Sequence, residues 1–327
     1  MRERAFLTPV TENFLHAIGV GMVSYELALK YDVDPKTAFI AGSLHDLGGA
    51  IPDSDRVQIA EFYEIPLYTE EINVPMLVHA KQGEFFARNL FNIYEPEILN
   101  AILFHTTCID NASELTKIVF IADKIHWDRN GEPPYLSGLL AALDVSLDYG
   151  CNYFLNWLWN SDLYVIHPFL KRSYGYYIEN KRFSTLNRNE LTNENNIIID
   201  DDIRRRYFLN EIKDEFEKIF RISKSAYELA KNDSINQDKA FIAAVLTTAS
   251  DTIFNNQKDI IAKALNLDPK GTNLFAEINY YFAKTEFKVE DPEILESLLN
   301  YQSKNLINNQ KLAKIVAMAY KTSSNRI

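Results

Sequence analysis

Cysteine is nearly missing from this chain: Cys108 and Cys151 are the only two among 327 residues, and no CxxC pair occurs. That excludes a disulfide framework and suits a reducing compartment. Glycine and proline number 11 each, too few for low-complexity sequence. No stretch reaches about 18 uninterrupted apolar residues, so no membrane span is expected. The first segment, MRERAFLTPVTENF, carries two arginines but no apolar core of signal-peptide length, and a cytoplasmic protein is expected. No convincing run of period-two alternation is present, so strands are not expected. Positive charge is also short, 34 Lys and Arg against 45 Asp and Glu, for a formal net charge of −11. A nucleic-acid duplex or an anionic membrane is therefore not expected as a general partner. A small polyphosphate still fits where metal cations and a few basic side chains invert the field.

What is present reads as helix. The hydrophobic share of 47% and charged share of 24% are those of a globular protein, and the length suits two domains. From Thr11 to Lys30, the residues Leu15, Ile18, Met22, Tyr25 and Leu29 recur at three- and four-residue steps with His16 beside the stripe, the mark of an amphipathic helix. Asp34-Pro35 reads as N-cap and first helical residue of a nearly all-apolar helix over 37–47, closed by Gly48-Gly49, which should be a central element. Further helices are predicted over 54–63, 70–79, 81–92, 96–105 and 113–127, the last opened by Asn111 or Ser113, and periodicity resumes over 136–160. Residues 181–205 are polar and Asn-rich with little periodicity, which reads as a linker. The expected organisation is a helical domain over 1–180, a linker over 181–205 and a second helical domain over 206–327.

His45-Asp46 at the end of that apolar helix is chemically odd, since both groups cost several kcal/mol to bury unless paired or metal-bound. An internal repeat gives it meaning. Residues 25–51 align without a gap to 227–253 at an offset of 202, with ten of 27 positions identical, and the register resumes where PEIL at 96–99 meets 292–295 and KIV at 117–119 meets 314–316. In the second copy His16 becomes Lys218, His45 and Asp46 become Thr247 and Thr248, His79 becomes Phe275, and His105 and Asp123 become Tyr301 and Tyr320. The apolar frame is kept while six scattered polar positions change together. Any one of these histidines alone reads as a hydrogen-bonded core residue; the set of six reads as one site in the first copy, absent from the second.

His16, His45, Asp46, His79, His105 and Asp123 supply imidazole nitrogen and carboxylate oxygen, suited to iron, manganese or zinc rather than calcium. Their order resembles the H…HD…H…H…D pattern of HD-domain metal-dependent phosphohydrolases. More narrowly, AGSLHDLG, VPMLVHAKQGEFFA, EILNAILFHTTC, SELTKIVFIADKI and VIHP resemble the YqeK-type family of symmetrical diadenosine tetraphosphate hydrolases, over residues 10–180. The resemblance implies an all-α HD-domain helical bundle, here duplicated with a degenerate HD-like second domain lacking metal ligands. It implies a divalent metal, iron first and manganese or zinc otherwise, held by His16, His45, Asp46 and Asp123, with a second ion open to His79 and His105. It implies catalytic roles for Asp46, His79 and His105, and nucleotide contacts from Asn13, His79, His105, Thr106, Lys124 and Arg129.

Two positions depart from the family pattern: Asn13 stands where the family has Arg, and Gly49 where it often has Lys, both removing positive charge from a polyphosphate site. His126 stands where the family has an acidic residue. Trp127, Trp157 and Trp159 with Tyr153 and Phe154 read as core rather than as an adenine-stacking wall, and His167 reads as structural. The expected activity is metal-assisted cleavage of diadenosine tetraphosphate to two ADP. The expected partner is that small nucleotide polyphosphate, with a homodimer as an assembly open to the chain. The alternatives are hydrolysis of another nucleotide or phosphoester, and nucleotide-binding regulation with weak catalysis.

Overall fold

The computed structural model describes residues 7, 9–127, 131–188, 191–192, 194–303 and 310–324, and among these it contains seventeen α-helices and no strand. No helix of the described residues is long and apolar enough to cross a membrane. The chain divides into two compact units: one runs from His16 to Leu209, and the other joins the start of the first helix, up to Leu15, to the chain from Asn210 onward.

In the first unit, α1 (Pro9–Lys30) is followed by α2 (Pro35–Leu44), α3 (Asp53–Phe62), α4 (Thr69–Asn73), α5 (His79–Phe91), α6 (Pro96–Phe104), α7 (Glu114–Ile125), α8 (Leu136–Val145), α9 (Leu147–Trp159), α10 (Pro168–Tyr177) and α11 (Asp201–Arg206). The starts follow local chemistry. Asp34 accepts the Thr37 N–H at 3.0 Å, Ser113 accepts that of Thr116 at 3.2 Å, and Pro35 and Pro96 occupy first turns, where a missing N–H loses nothing. The predicted helix over 70–79 is instead the short α4 and a 3-10 turn over Pro75–Val78, so that α5 opens on His79. Pro75 is the reason, because it drives Val74 out of the helical region. The periodic stretch 136–160 is two helices, split at Ser146, whose side chain caps α9 by accepting the Tyr149 N–H at 3.1 Å.

The α2 helix is the central element: Ala38, Phe39, Ala41, Gly42, Ser43 and Leu44 are all buried, and it packs on α6 and α7. Residues 181–205 lie in this first unit. Arg188 donates to Glu84 at 2.7 Å, Asn89 accepts the Ile197 N–H at 2.8 Å, and the Tyr63 hydroxyl accepts the Asp200 N–H at 3.1 Å.

The second unit holds α12 (Leu209–Asn232), α13 (Gln237–Leu246), α14 (Lys258–Ala264), α15 (Leu274–Thr285), α16 (Pro292–Asn300) and α17 (Lys311–Ser324). Its order repeats that of α1, α2, α3, α5, α6 and α7. The offset of 202 that aligns the sequences carries Pro35–Leu44 onto Gln237–Leu246, and the N-cap Asp34 onto Asn236, which accepts the Lys239 N–H at 2.9 Å. Its core includes Ile253, Ile261, Ile278 and Phe282 with Leu15.

A buried ionic clamp ties α4, α5 and α10 in the first unit. Glu71 Oε2 accepts from Lys81 Nζ at 2.7 Å and from the Tyr68 N–H at 2.7 Å, and both charged side chains are 2% exposed. Lys81 also donates to the Pro66 carbonyl at 2.7 Å. His167 Nδ1 accepts the Phe169 N–H, so its proton sits on Nε2, which donates to Glu71 Oε1 at 3.1 Å. Burial pushes the Glu71 carboxyl up, but the bonds from His167 and Lys81 outweigh it and hold it below the ordinary value. A carboxylate depressed on folding gives stability that is present above its unfolded value, about 4.3, and lost as pH falls through the folded value.

Removing one partner of a buried pair strands the other, at about 3–5 kcal/mol. Glu71→Ala should therefore lower the unfolding free energy of the first unit, read from a urea titration, by that amount, and the Glu71→Leu, Lys81→Met pair should recover most of it. Tryptophan fluorescence reads this unit alone, since Trp127, Trp157 and Trp159 all lie in it. A single variant as stable as the wild type would refute the clamp.

Candidate metal centre

Three of the six singled-out positions stand where a helical turn ends: His45 caps the C-terminus of α2, His79 closes the 3-10 turn that leads into α5, and His105 caps α6. Helix ends leave backbone carbonyls without an intrahelical partner. Each imidazole uses one of them, always three residues back. His45 Nδ1 donates to the Gly42 carbonyl at 2.7 Å, His105 Nδ1 to that of Ile102 at 2.7 Å, and His79 Nδ1 to that of Met76. A carbonyl only accepts, so Nδ1 carries the proton in all three rings and Nε2 keeps its lone pair. This is the arrangement that orients imidazole toward a metal.

His16 from α1 and Asp123 from α7 complete the cluster. Asp123 Oδ1 lies 3.2 Å from His16 Nε2 and 3.5 Å from His45 Nε2, and the ligand atoms of these three residues lie within 4.8 Å of one another. Beside them, His79 Nε2 and His105 Nε2 are 2.9 Å apart, with the Thr106 hydroxyl 3.2 and 3.0 Å from the two nitrogens. Two lone pairs at that distance repel unless a proton or a cation is shared, and Thr106 can donate to one of them. Burial pushes both His79 and His105 below the ordinary imidazole value. Burial raises the Asp123 carboxyl, but the neighbouring Lys124 charge outweighs it, and the carboxyl is held well below the usual carboxylate range. Neutral imidazoles and an ionised carboxylate are the protonation states that metal ligation requires. The donor set fits a divalent first-row transition ion.

Asp46 stands apart from that trio. Its Oδ1 is 3.9 Å from His79 Nε2, because neighbouring side chains at a helix end diverge by about 100°. Two glycines allow this. A Cβ on Gly48 would meet the His79 carbonyl oxygen at 2.0 Å, and one on Gly49 would meet the Asp46 carboxylate at 2.8 to 2.9 Å. Gly48 thus lets the turn lie against the start of α5, and Gly49 leaves the space that the Asp46 carboxylate fills.

The cluster lines a cavity of about 300 Å³. Lys124 lies in it, paired with Asp123 Oδ2 and 3.4 Å from the His105 carbonyl. Asn13 is exposed, falls in the part of α1 grouped with the second unit and is not in the cavity lining. Arg129 lies outside the described residues. Sequence reading missed Arg56, Met76 and Tyr135, which all line the cavity together with His126 and Trp127. Of the aromatic group, Trp157 packs with Tyr135 at 4.6 Å and Trp159 stacks on Tyr174 at 4.1 Å.

The second unit shows the same frame with other groups. Thr247 and Thr248 donate to the carbonyls of Ala244 and Val245, each at 2.7 Å and again three residues back. Thr247 thus satisfies the carbonyl that matches Gly42 but presents no second nitrogen. Lys218, at the His16 position, pairs with Asp251 at 2.5 Å, while Tyr301 and Tyr320 pack 5.5 Å apart.

A family profile described as HD domain matches residues 13–128. Over 138 residues the chain is 43% identical to the "Uncharacterized protein in pepC 5'region" of Lactococcus lactis subsp. cremoris, covering 42% of this chain and 71% of that one. Over 121 residues it is 31% identical to the "Bis(5'-nucleosyl)-tetraphosphatase, symmetrical" of Bacillus subtilis (strain 168), covering 37% of this chain and 64% of that protein. A solved structure from Clostridium acetobutylicum, a "predicted HD superfamily hydrolase involved in NAD metabolism", aligns with TM-score 0.47 and 27% identity over 53% of this chain and 96% of that one.

The two glycines should respond differently to a methyl group. Gly48→Ala meets rigid backbone and should destabilise the first unit by about 2 kcal/mol or more. Gly49→Ala meets only a side chain that can rotate, so its melting temperature should stay within a few degrees while the Asp46 carboxylate leaves its place. Thermal melts of both variants check the contrast; equal shifts would refute the assignment of the two contacts.

Proposed function

We propose, from the fact that this chain belongs to the HD-domain family, that its first unit is a metal-dependent hydrolase cutting diadenosine tetraphosphate symmetrically into two molecules of ADP. The observation that carries the chemistry is the inward set of Nε2 lone pairs beside two carboxylates. The named Bacillus subtilis relative supports the substrate.

In this reading His16, His45 and Asp123 hold a divalent cation, iron first and manganese or zinc otherwise, with Asp46, His79 and His105 open to a second. When bound, such an ion lowers the pKa of water and neutralises charge on the phosphoryl oxygens. Asp46 accepts the proton of the attacking water, set in line with one of the two phosphorus atoms that flank the central bridging oxygen; the bond from that phosphorus to the bridging oxygen breaks, and the oxygen leaves with the second ADP. His79 and His105 do not donate to substrate, because the proton of each ring is held on Nδ1 by a backbone carbonyl. The Thr106 hydroxyl and the Lys124 ammonium are the donors beside them, and they offset the charge that develops on non-bridging and leaving oxygens. The second unit, with Lys218, Thr247, Thr248, Phe275, Tyr301 and Tyr320 in place of the six, is a degenerate copy without catalysis. The cytoplasm is the expected compartment.

Incubating metal-loaded protein with diadenosine tetraphosphate should yield ADP as the sole nucleotide product; AMP with ATP, or no turnover with metal present, would overturn the substrate assignment. Asp46→Asn should lower kcat by about 10²-fold or more. Because burial holds His79 and His105 below the ordinary imidazole value of 6.5, both stay neutral on mild acidification. Imidazole titration followed by NMR of the metal-free chain should accordingly place both rings below pH 6.5, and a value above that would contradict the assigned protonation states.

A further inference from the structure

We propose that Arg56 is a substrate-binding residue of this cavity, gripping a phosphate group on the side of Asp46 and His79; the inference rests on the polyphosphate reading above. Arg56 belongs to α3, an element that carries none of the six residues, and its side chain is 9% exposed. Among the described residues lining the cavity, Arg56 and Lys124 are the two permanent cations. Lys124 is engaged with the mostly buried Asp123, whereas the carboxylate partner of Arg56 is Asp53, which is largely exposed.

The guanidinium is held from behind. Its Nε donates to the Ile51 carbonyl at 2.9 Å and its Nη1 to the Met76 carbonyl at 3.1 Å, while Nη1 also lies 2.5 Å from Asp53 Oδ1. Ile51 follows the turn that carries Asp46. The Met76 carbonyl also accepts the His79 Nδ1 proton, so one oxygen fixes both the imidazole and the guanidinium. These contacts use Nε–H and Nη1, leaving the Nη2 hydrogens of the five donors. A guanidinium immobilised in this way loses little entropy when Nη2 donates to a phosphate oxygen.

The charge balance needs this cation. Asp46 and Asp123 together offset Lys124 and Arg56. A divalent ion then leaves the cavity with net positive charge, as a polyphosphate requires. Without Arg56, the Asp46 side would face the phosphates with a carboxylate alone.

The test uses the full metal-loaded chain, with inorganic tripolyphosphate and adenosine as calorimetric probes and diadenosine tetraphosphate as substrate. Arg56→Gln should weaken tripolyphosphate about 10- to 100-fold, the loss expected for hydrogen bonds to a charged group, and leave adenosine unchanged. Arg56→Lys, which keeps charge but loses the guanidinium, should fall between. Asp53→Asn, which removes a competing carboxylate, should tighten tripolyphosphate binding. KM for the substrate should rise more than kcat falls. Unchanged tripolyphosphate binding in both Arg56 variants, equal loss for adenosine, or no tripolyphosphate binding by the wild type would overturn the proposal. Should Arg56→Gln fail to fold, Arg56→Lys decides by the same readouts. If the wild type makes no ADP while the tripolyphosphate contrast holds, the substrate reading fails and the role of Arg56 as a phosphate anchor stands.

Discussion

The centre depends on one repeated interaction: an imidazole Nδ1–H given to a backbone carbonyl three residues earlier at the end of a helical turn. A helix end has carbonyls to spare, and a histidine placed there satisfies one of them with its near nitrogen. The far nitrogen is then aimed away from the helix without further support. Three helix ends meeting in one place therefore bring three lone pairs together, and the tautomer is set by backbone geometry rather than by neighbouring side chains. The orientation of the site thus comes from secondary structure.

The second unit isolates the two halves of that interaction. Thr247 keeps the backbone half, donating to the carbonyl three residues back, and loses the outward half. The frame therefore does not need the histidines of the first unit in order to form. Where the first unit has His16 and Gly49, the second has Lys218 and Asp251, joined as an ion pair. A fixed ammonium and its carboxylate fill the same corner of the frame. The repeat keeps the apolar registers, because a one-methylene change in a packed core is felt by every neighbour, while the polar cluster changes as a block.

Much of the fold was legible. Helix starts followed the caps Asp34, Pro96 and Ser113, and the absence of alternation matched a structure without strands among the described residues. The break at Pro75 was hidden by periodicity continuing across it, and Ser146 reads as an ordinary helix residue until its hydroxyl is seen to cap. The stretch 181–205 lacks periodicity because its attachment is polar: Arg188 reaches Glu84, a buried carboxylate that also takes Arg88. The six polar positions could be singled out because the chain contains its own counterexample. Which of them converge could not, since His45 and Asp46 are adjacent in sequence yet point to different partners. Arg56 left no signal, because its place is decided by two carbonyls, of Ile51 and Met76, that any residue could supply.

The way α1 is divided between the units has a consequence for synthesis. Thr11 donates to the Thr252 carbonyl at 3.2 Å across a separation of 241 residues, Phe14 stacks on Phe216 at 4.9 Å, and Leu15 lies in the cluster of Ile253 and Phe282. At about 5–20 residues per second of chain elongation, the opening turn of the first helix waits on the order of 10–50 s for its partners to be made. Its neighbours from His16 onward can fold meanwhile. The second unit thus closes only after the whole of the first has been made, since its own segments lie on either side of it in the chain.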